Sequence, residues 1–361
     1  MKKFMLAGAF ACSIGMQAIA QEEPKKNNFS ISGYAEAYYL YDANRPLNNT
    51  RPGFVYSHNR ANEVNVNLAF LKGTYSGDRV RANIAIGAGT YLNANMAAEP
   101  GVLKNIYEAN AGVKLSKNAN LWLDAGIMPS HIGFESAVGK DNWTLTRSIV
   151  ADNSPYYEAG TKLGYTSKNE KWYLAAMYLN GWQRIQRIDG NSTPAFGLQV
   201  TYKPNSTITL NYSNFAGNDK PDTVRLMRYY HNVYGIFQVT EKFGITAGFD
   251  YGMEQKEKGK SKLNNWYAGT VIVKYSPDKT NSVSVRGEYF EDKNGVIIAT
   301  NSPEGFKTIG WSVNYDRQLF SNCVWRLELR SFHGKEEYFV KRNNSTTKAS
   351  PIVATAIALS F

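Results

Sequence analysis

Residues 129 to 158 read PSHIGFESAVGKDNWTLTRSIVADNSPYYE, a stretch that gathers His131, Glu135, Ser136, Asp141, Ser148 and Asp152. A base, carboxylates and hydroxyls are the types from which a Ser-His-Asp hydrolytic site is made. Such a site needs the base within hydrogen-bonding reach of the serine and a third group to orient the base. The stretch has no Gly-x-Ser-x-Gly or comparable turn to present a nucleophile, so reactive types in a polar loop are weak evidence. An outer-membrane hydrolase is therefore kept only as an alternative, and no catalytic residue is assigned. Metal chemistry fares no better: His58, His131, His231 and His333 are scattered, with no paired His/Cys spacing. The pieces YDANRP and GNDKPD lack the regular ligand ladder of a calcium loop. With no phosphate-cradling glycine motif and no nucleic-acid module, no metal, cofactor or nucleic-acid partner is expected.

What holds this stretch in place is legible from the rest of the chain. Apolar and polar residues alternate with a period of two from end to end. In RVRANIAIGAGTYL, Val80, Ala82, Ile84 and Ile86 alternate with Arg81, Asn83, Ala85 and Gly87; in VWRLELRSF, Trp325, Leu327 and Leu329 alternate with Arg326, Glu328 and Arg330. A strand separates two such faces and a helix would smear them. About sixteen segments of this kind, within a range of 14 to 18, run from 29–41 to 350–361. Short turns (76–79, 116–119, 167–171, 203–206, 240–243, 276–281, 319–322) alternate strictly with longer connections (42–59, 93–105, 129–155, 183–193, 216–226, 255–263, 292–304, 334–349). In an up-and-down meander this puts every short turn at one end and every long loop at the other. Outer-membrane barrels have that asymmetry, with short periplasmic turns and long extracellular loops. A soluble β-sandwich would mix its loop lengths through Greek-key crossings. The expected fold is therefore all-β, a transmembrane antiparallel up-and-down barrel over residues 29–361.

Ahead of the barrel, MKKFMLAGAFACSIGMQAIAQ has a basic start, an apolar core and an Ala18-Ile19-Ala20 cleavage site, which reads as an export signal over residues 1–20. A lipoprotein signal acting at Cys12 is the rival, but Ala9-Phe10-Ala11 fits it poorly. Residues 21–28 are then a short periplasmic segment. Cleavage lowers the formal charge from +11 to +9 and leaves Cys323 alone, so the exported chain must be stable without an internal disulfide. At the other end, PIVATAIALSF places Val353, Ile357, Leu359 and Phe361 on one face. A closing strand ending in Phe resembles the signal such barrels present to the assembly machinery, and Phe361 is assigned that role.

If the apolar faces meet lipid, the others line the lumen. The inward set includes Arg81, Glu108, Lys114, Glu158, Lys162, Arg286, Glu288, Arg326, Glu328 and Arg330, with Glu36, Asp124, Lys203, Asp250, Lys274 and Asp316. Facing hydrocarbon, such charges would cost about 2–4 kcal/mol each at the midplane. Acidic and basic groups balance in this set, which predicts weak ion preference. A barrel of about sixteen strands is too wide for wall side chains to fill, so a water-filled channel for small hydrophilic solutes is expected. Trp172, Trp182, Trp266 and Trp311 near strand ends fit interfacial girdles and fit ordinary strand aromatics equally. The 129–155 segment is then the third and longest loop. By analogy with general porins it folds inward, so that His131, Glu135, Lys140, Asp141, Trp143, Arg147 and Asp152 form a mixed-charge constriction. A lid on the rim, containing a short helix, is the plainer reading.

The order ISGYAEAYYLYDANRP, NEVNVNLAFL, LWLDAGIMPSHIGFESAVGKDNWTLTRSIVADNSPYYEAGTKLGY, LNGWQRI and VRGEYFEDKNGV resembles the OmpL-like β-barrel porin family of Gram-negative bacteria, over nearly the whole chain after the signal. The resemblance implies an outer-membrane barrel that passes small solutes, with an important role for His131 to Tyr157. It brings no established substrate and no catalytic residues. The expected partners are the outer-membrane lipid bilayer, the barrel-assembly machinery and small hydrophilic solutes. A homotrimer is compatible with the exposed aromatics, and a substrate-selective channel, for oligosaccharides for instance, is the alternative to a general one.

Overall fold

In the computed structural model, residues 28–361 are described; the expected signal over 1–20, with Cys12, and all but the last residue of the 21–28 segment lie outside them. Among the described residues sixteen antiparallel strands close into one barrel. They are β1 (Phe29–Asp42), β2 (Val64–Ser76), β3 (Val80–Ala88), β4 (Ile106–Lys114), β5 (Asn120–Pro129), β6 (Tyr157–Thr166), β7 (Trp172–Leu179) and β8 (Ala195–Asn205). There follow β9 (Ile208–Asn218), β10 (Met227–Gln238), β11 (Phe243–Gln255), β12 (Leu263–Tyr275), β13 (Asn281–Asp292), β14 (Phe306–Phe320), β15 (Cys323–Gly334) and the closing strand Ala349–Ser360. Each strand pairs with its neighbours in sequence, and the closing strand pairs with β1 from Tyr34↔Ser360 to Asp42↔Ile352. The expected fold and strand number are those observed.

The alternation in sequence becomes an inverted burial pattern. On β14, Ile309, Trp311 and Val313 are exposed on the outside, whereas Thr308, Ser312 and Asn314 point inward and are buried. On β13, Val283 and Val285 face out while Ser284, Arg286 and Glu288 face in. An apolar outer surface with polar residues inside is stable only where the surrounding medium is itself apolar. No helix among the described residues is long and apolar enough to cross a membrane, and the strands supply the spans. Trp172 and Trp311 lie on the outer surface, at 42% and 47% exposure, as a girdle requires. Trp266 and Trp182 do not. Trp266 is buried on the inward face of β12, and Trp182 packs edge-on against Phe215 and Tyr230.

The long loops carry additional structure, including a short helix α1 (Thr90–Asn95) in the second, a single turn α2 (Ile149–Asp152) in the third, and a small hairpin pairing Phe339–Val340 with Thr346–Thr347 in the last. The seam between β1 and the closing strand ends on Phe361. Its backbone exchanges hydrogen bonds with Gly33 (N–H of Gly33 to O of Phe361, 2.8 Å; the reverse, 3.1 Å), and the tip of its ring lies over that glycine. A Cβ at residue 33 would meet the ring at 2.3 Å. Gly33→Val should therefore displace Phe361 and cost about 1–3 kcal/mol, as overpacking does. The check is a lowered midpoint of heat-modifiable gel migration, and an unchanged midpoint would show that the ring contributes nothing to the seam.

Candidate functional site

The third loop, residues 130–156, lies across the inside of the barrel. It leaves β5 beside β9, where the His131 ring nitrogen Nε2 is 2.7 Å from the Asn214 carbonyl and the Ser213 hydroxyl donates to the His131 carbonyl. Gly133 N–H reaches Asn232 on β10, and Phe134 packs edge-on against Tyr234. Farther along, Lys140 N–H lies 3.4 Å from the Tyr34 hydroxyl on β1, and the Trp143 ring sits 5.9 Å from the Lys274 ammonium on β12. The run Thr144–Ile149 is buried against β13, β14 and β15. The loop thus touches the wall from β9 round to β1.

Irregular backbone in a barrel lacks ladder partners, and buried peptide groups without them are costly. Here wall side chains supply the partners. Glu288 accepts from Ile149 N–H and Glu328 from Thr146 N–H, both at 2.6 Å; Asn314 accepts from Leu145 N–H at 3.0 Å. Arginines take the carbonyls: Arg286 donates to Thr146, Arg326 to Gly139 and Asn142, and Arg330 to Arg147. The charges are compensated among themselves as well, Arg286 with Glu328 at 2.9 Å, Arg330 with Glu288 at 2.9 Å and Arg326 with Asp316 at 2.8 Å. Several of these pairs skip a strand. Arg286 of β13 and Arg330 of β15 share a row with Ser312 between them, and Glu288 lies over Gly310, where a Cβ would come within 2.6 Å of its Cγ. Small inward residues on β14 let long side chains meet across it.

The seven residues expected to form a constriction divide into two groups. Lys140 and Asp141, ion-paired at 3.1 Å, are the most open, at 35% and 51% exposure; they and half-buried Trp143 lie toward the short-turn end. Lys140 lines a polar cavity of about 260 Å³ there with Lys274, Lys279 and Asp316. His131, Glu135, Arg147 and Asp152 are buried and hold the loop's shape instead. Arg147 donates to the Leu145 and Ala137 carbonyls, and Glu135 accepts from the Ser148 backbone and hydroxyl. Asp152 accepts from Ser57 N–H at 3.2 Å. The serines, histidine and aspartate that suggested hydrolysis are likewise dispersed. Ser148 caps α2 through Ala151 N–H, Ser136 accepts from Val138 N–H, and His131 faces Asn214. No group of three or more His, Cys, Asp or Glu residues suited to a metal occurs among the described residues.

Ser57 belongs to the first loop, which also folds inward, a feature the sequence reading did not anticipate. His58 donates its N–H to Asn67, and its Nε2 lies 2.6 Å from the buried Glu36 carboxylate. Phe54 enters an aromatic cluster with Phe306, Phe332 and Phe339. Tyr34 and Tyr38 face inward and are covered by these loops.

The lumen-lining set is inward-facing throughout, but its members differ in what they meet. Arg286, Glu288, Arg326, Glu328, Arg330 and Glu158 are buried. On β2 to β8 the picture changes: Arg81, Lys114 and Lys162 are only half-buried, and Trp122, Asn83, Asn110 and Gln199 beside them are also partly open. Arg81 makes a bidentate pair with Asp124 (2.7 and 2.6 Å) over Gly112, its guanidinium 4.2 Å from the Trp122 ring centre. Glu108 pairs with Lys72.

A model of the family described as "Putative beta-barrel porin-2, OmpL-like" matches residues 28–361. The chain belongs to this family. The barrel is also similar to solved outer-membrane proteins. OmpT of Vibrio cholerae is 10% identical with a TM-score of 0.59, over 94% of this chain and 100% of that one. An anion-selective porin from Comamonas acidovorans is 8% identical (TM-score 0.60; 92% and 99% covered), and the outer membrane channel DcaP of Acinetobacter baumannii is 11% identical (TM-score 0.57; 92% and 97% covered). At these identities the likeness is one of fold. No curated protein matches the chain by sequence. This chain is thus an outer-membrane β-barrel porin.

Two measurements test how the porin's inner loop is held. Arg330→Met leaves Glu288 with Arg286, at 3.5 Å, as its cationic partner beside the Ile149 N–H, and takes a donor from the Thr146 hydroxyl and the Arg147 carbonyl. Breaking a buried pair from one side costs about 3–5 kcal/mol. The denaturation midpoint should fall accordingly, and the double variant Arg330→Met/Glu288→Leu should recover part of the loss. Burial pushes the Asp152 carboxyl up to about 7, against the pull of Arg330 and the Ser57 hydrogen bond. Burial also raises Glu135 and holds His131 down at about 4. A carboxyl raised on docking favours the docked loop most below its ordinary value of about 4, and that advantage is lost as pH rises through about 7. Protection factors of the Thr144–Ile149 amides should therefore decline from about pH 4 to about pH 7 and level off above it. Asp152→Asn should flatten that decline, and an unchanged slope would place the titration elsewhere.

Proposed function

We propose that this porin lets small hydrophilic solutes diffuse passively through the part of the lumen its third loop leaves free. The observation that carries the reading is the division of the inner wall. From β9 round to β1 the wall is covered by the loop and most of its inward side chains are buried, half-buried Lys274 and Asp316 near the short turns excepted, whereas on β2 to β8 polar and charged side chains remain partly open. A sixteen-stranded barrel is wide enough to hold water beside an inserted segment. The edge of the loop that includes Lys140, Asp141 and Trp143 would then set the size limit on the short-turn side, and the buried His131, Glu135, Arg147 and Asp152 would fix that edge in place. The nature of two similar structures, described as an anion-selective porin and an outer membrane channel, supports passage rather than catalysis. The hydrolase alternative loses ground because Ser136, Ser148, His131 and Asp152 are each engaged with a different partner. In the same reading Phe361 serves as the assembly signal, and a homotrimer, the state of one form of Vibrio cholerae OmpT, is the natural assembly to test for.

Single-channel recording of the refolded protein in a planar bilayer, with and without residues 136–150, tests the proposal. Stable, nearly ohmic steps that increase severalfold on deletion are expected. Steps unchanged by deletion would keep a porin but remove the constriction, and a correctly folded barrel without conductance would overturn the open-pore reading.

A further inference from the structure

The charges of the inner wall balance in number but not in what water can reach. Where acid and base pair on the open side, the base is the outer member. Arg81 is 37% exposed over an Asp124 that is 5% exposed, and Lys72 is 26% exposed over a Glu108 that is 6% exposed. Lys162 shares a hydrogen-bonded row with Asp124, which Arg81 already covers on both oxygens. Lys114, half-buried, and Lys203, exposed, lie on inward positions near the short turns, and none of the ion pairs among the described residues includes Lys114, Lys162 or Lys203. The remaining inward carboxylate of this wall, Glu158, is buried at the long-loop end. What the loop presents is close to neutral, since Lys140 and Asp141 pair with each other and the buried His131 faces a carbonyl. The arginines and carboxylates of β13 to β15 are spent on one another and on the loop backbone.

We infer that the open wall of β2 to β8 is an anion track, on which Lys114, Lys162 and Lys203, with the outward-turned heads of Arg81 and Lys72, select small anionic solutes such as carboxylates and inorganic phosphate over cations. This rests on the porin reading above and adds a charge class to it. In a lumen with low-dielectric walls, uncompensated ammonium groups focus a positive potential. A potential of about one kT raises the local anion concentration about threefold and lowers that of cations as much. The Arg81 guanidinium, 4.2 Å from the Trp122 ring centre and braced by both Asp124 oxygens, offers a fixed donor edge, while the lysines are point charges spaced along the wall.

The test is the reversal potential of the full-length protein in a planar bilayer across a potassium chloride gradient, for the native chain and for the triple variant Lys114→Gln/Lys162→Gln/Lys203→Gln. Lys335→Gln, on an exposed loop and paired with Glu304, is the control. Heat-modifiable migration verifies that each barrel has folded. The native channel should favour chloride about threefold or more, the triple variant should bring the ratio close to unity, and the control should leave it unchanged. Added phosphate should slow chloride current in the native channel more than in the triple variant. A channel that conducts but favours potassium, shows no preference, or keeps its ratio in the triple variant overturns the track and leaves the porin reading standing. A folded barrel without steps overturns both.

Discussion

The interior of this barrel is organised by one requirement, that every buried peptide group find a hydrogen-bond partner. A strand meets it through its neighbours, and the third loop, folded into the lumen without a ladder, cannot. Carboxylates on β13 and β15 take its amide protons, and arginines on β13 and β15 occupy its carbonyls. A neutral wall could match only a few of these groups. Acidic and basic residues alternating along two strands can match donors and acceptors in whatever order an irregular backbone presents them. The same side chains neutralise one another, which is why so many charges are tolerated in so dry a place.

Geometry sets where such a scaffold can be built. Inward side chains on adjacent strands stand too close for two arginines and two glutamates to lie abreast. The solution is a strand of small inward residues between two charged ones: Gly310 and Ser312 on β14 separate Glu288 and Arg286 from Arg330, and Gly112 on β4 separates Arg81 from Asp124. The two uses differ in outcome. Between β13 and β15 the loop closes over the network and seals it. Between β3 and β5 the pair is not sealed, and the guanidinium stays partly open above its carboxylate, beside the Trp122 ring.

Much of this was legible in sequence because period-two alternation and loop length are local signals. Alternation alone puts Arg286, Glu288, Arg326, Glu328 and Arg330 on the polar faces of their strands, and those faces turn inward. What they meet there was not legible. Whether an inward arginine faces water or a loop depends on contacts between residues about 140 to 180 positions apart, as for Ile149 with Glu288 and Thr146 with Glu328, and spacing along one strand does not report these. The four tryptophans stayed between two readings for a related reason. Trp266 sits near a strand end like a girdle residue, and only the parity of its strand separates the faces: buried Ala268, Thr270 and Ile272 follow it at steps of two. The inward fold of the first loop left a fainter trace. Its anchor is the His58–Glu36 pair, and Glu36 lies where the β1–β2 register shifts.

That first loop changes what the third can do. Ser57 binds Asp152 on α2, Asn153 donates to the Phe54 carbonyl, and Phe54 is locked among Phe306, Phe332 and Phe339. The third loop is consequently fixed from two sides, by the wall ions beneath and by the first loop above. To swing it out of the lumen would expose several buried ion pairs and open an aromatic cluster together, each at a cost of several kcal/mol. A segment held in this way is packed as part of the wall and not as a hinged flap.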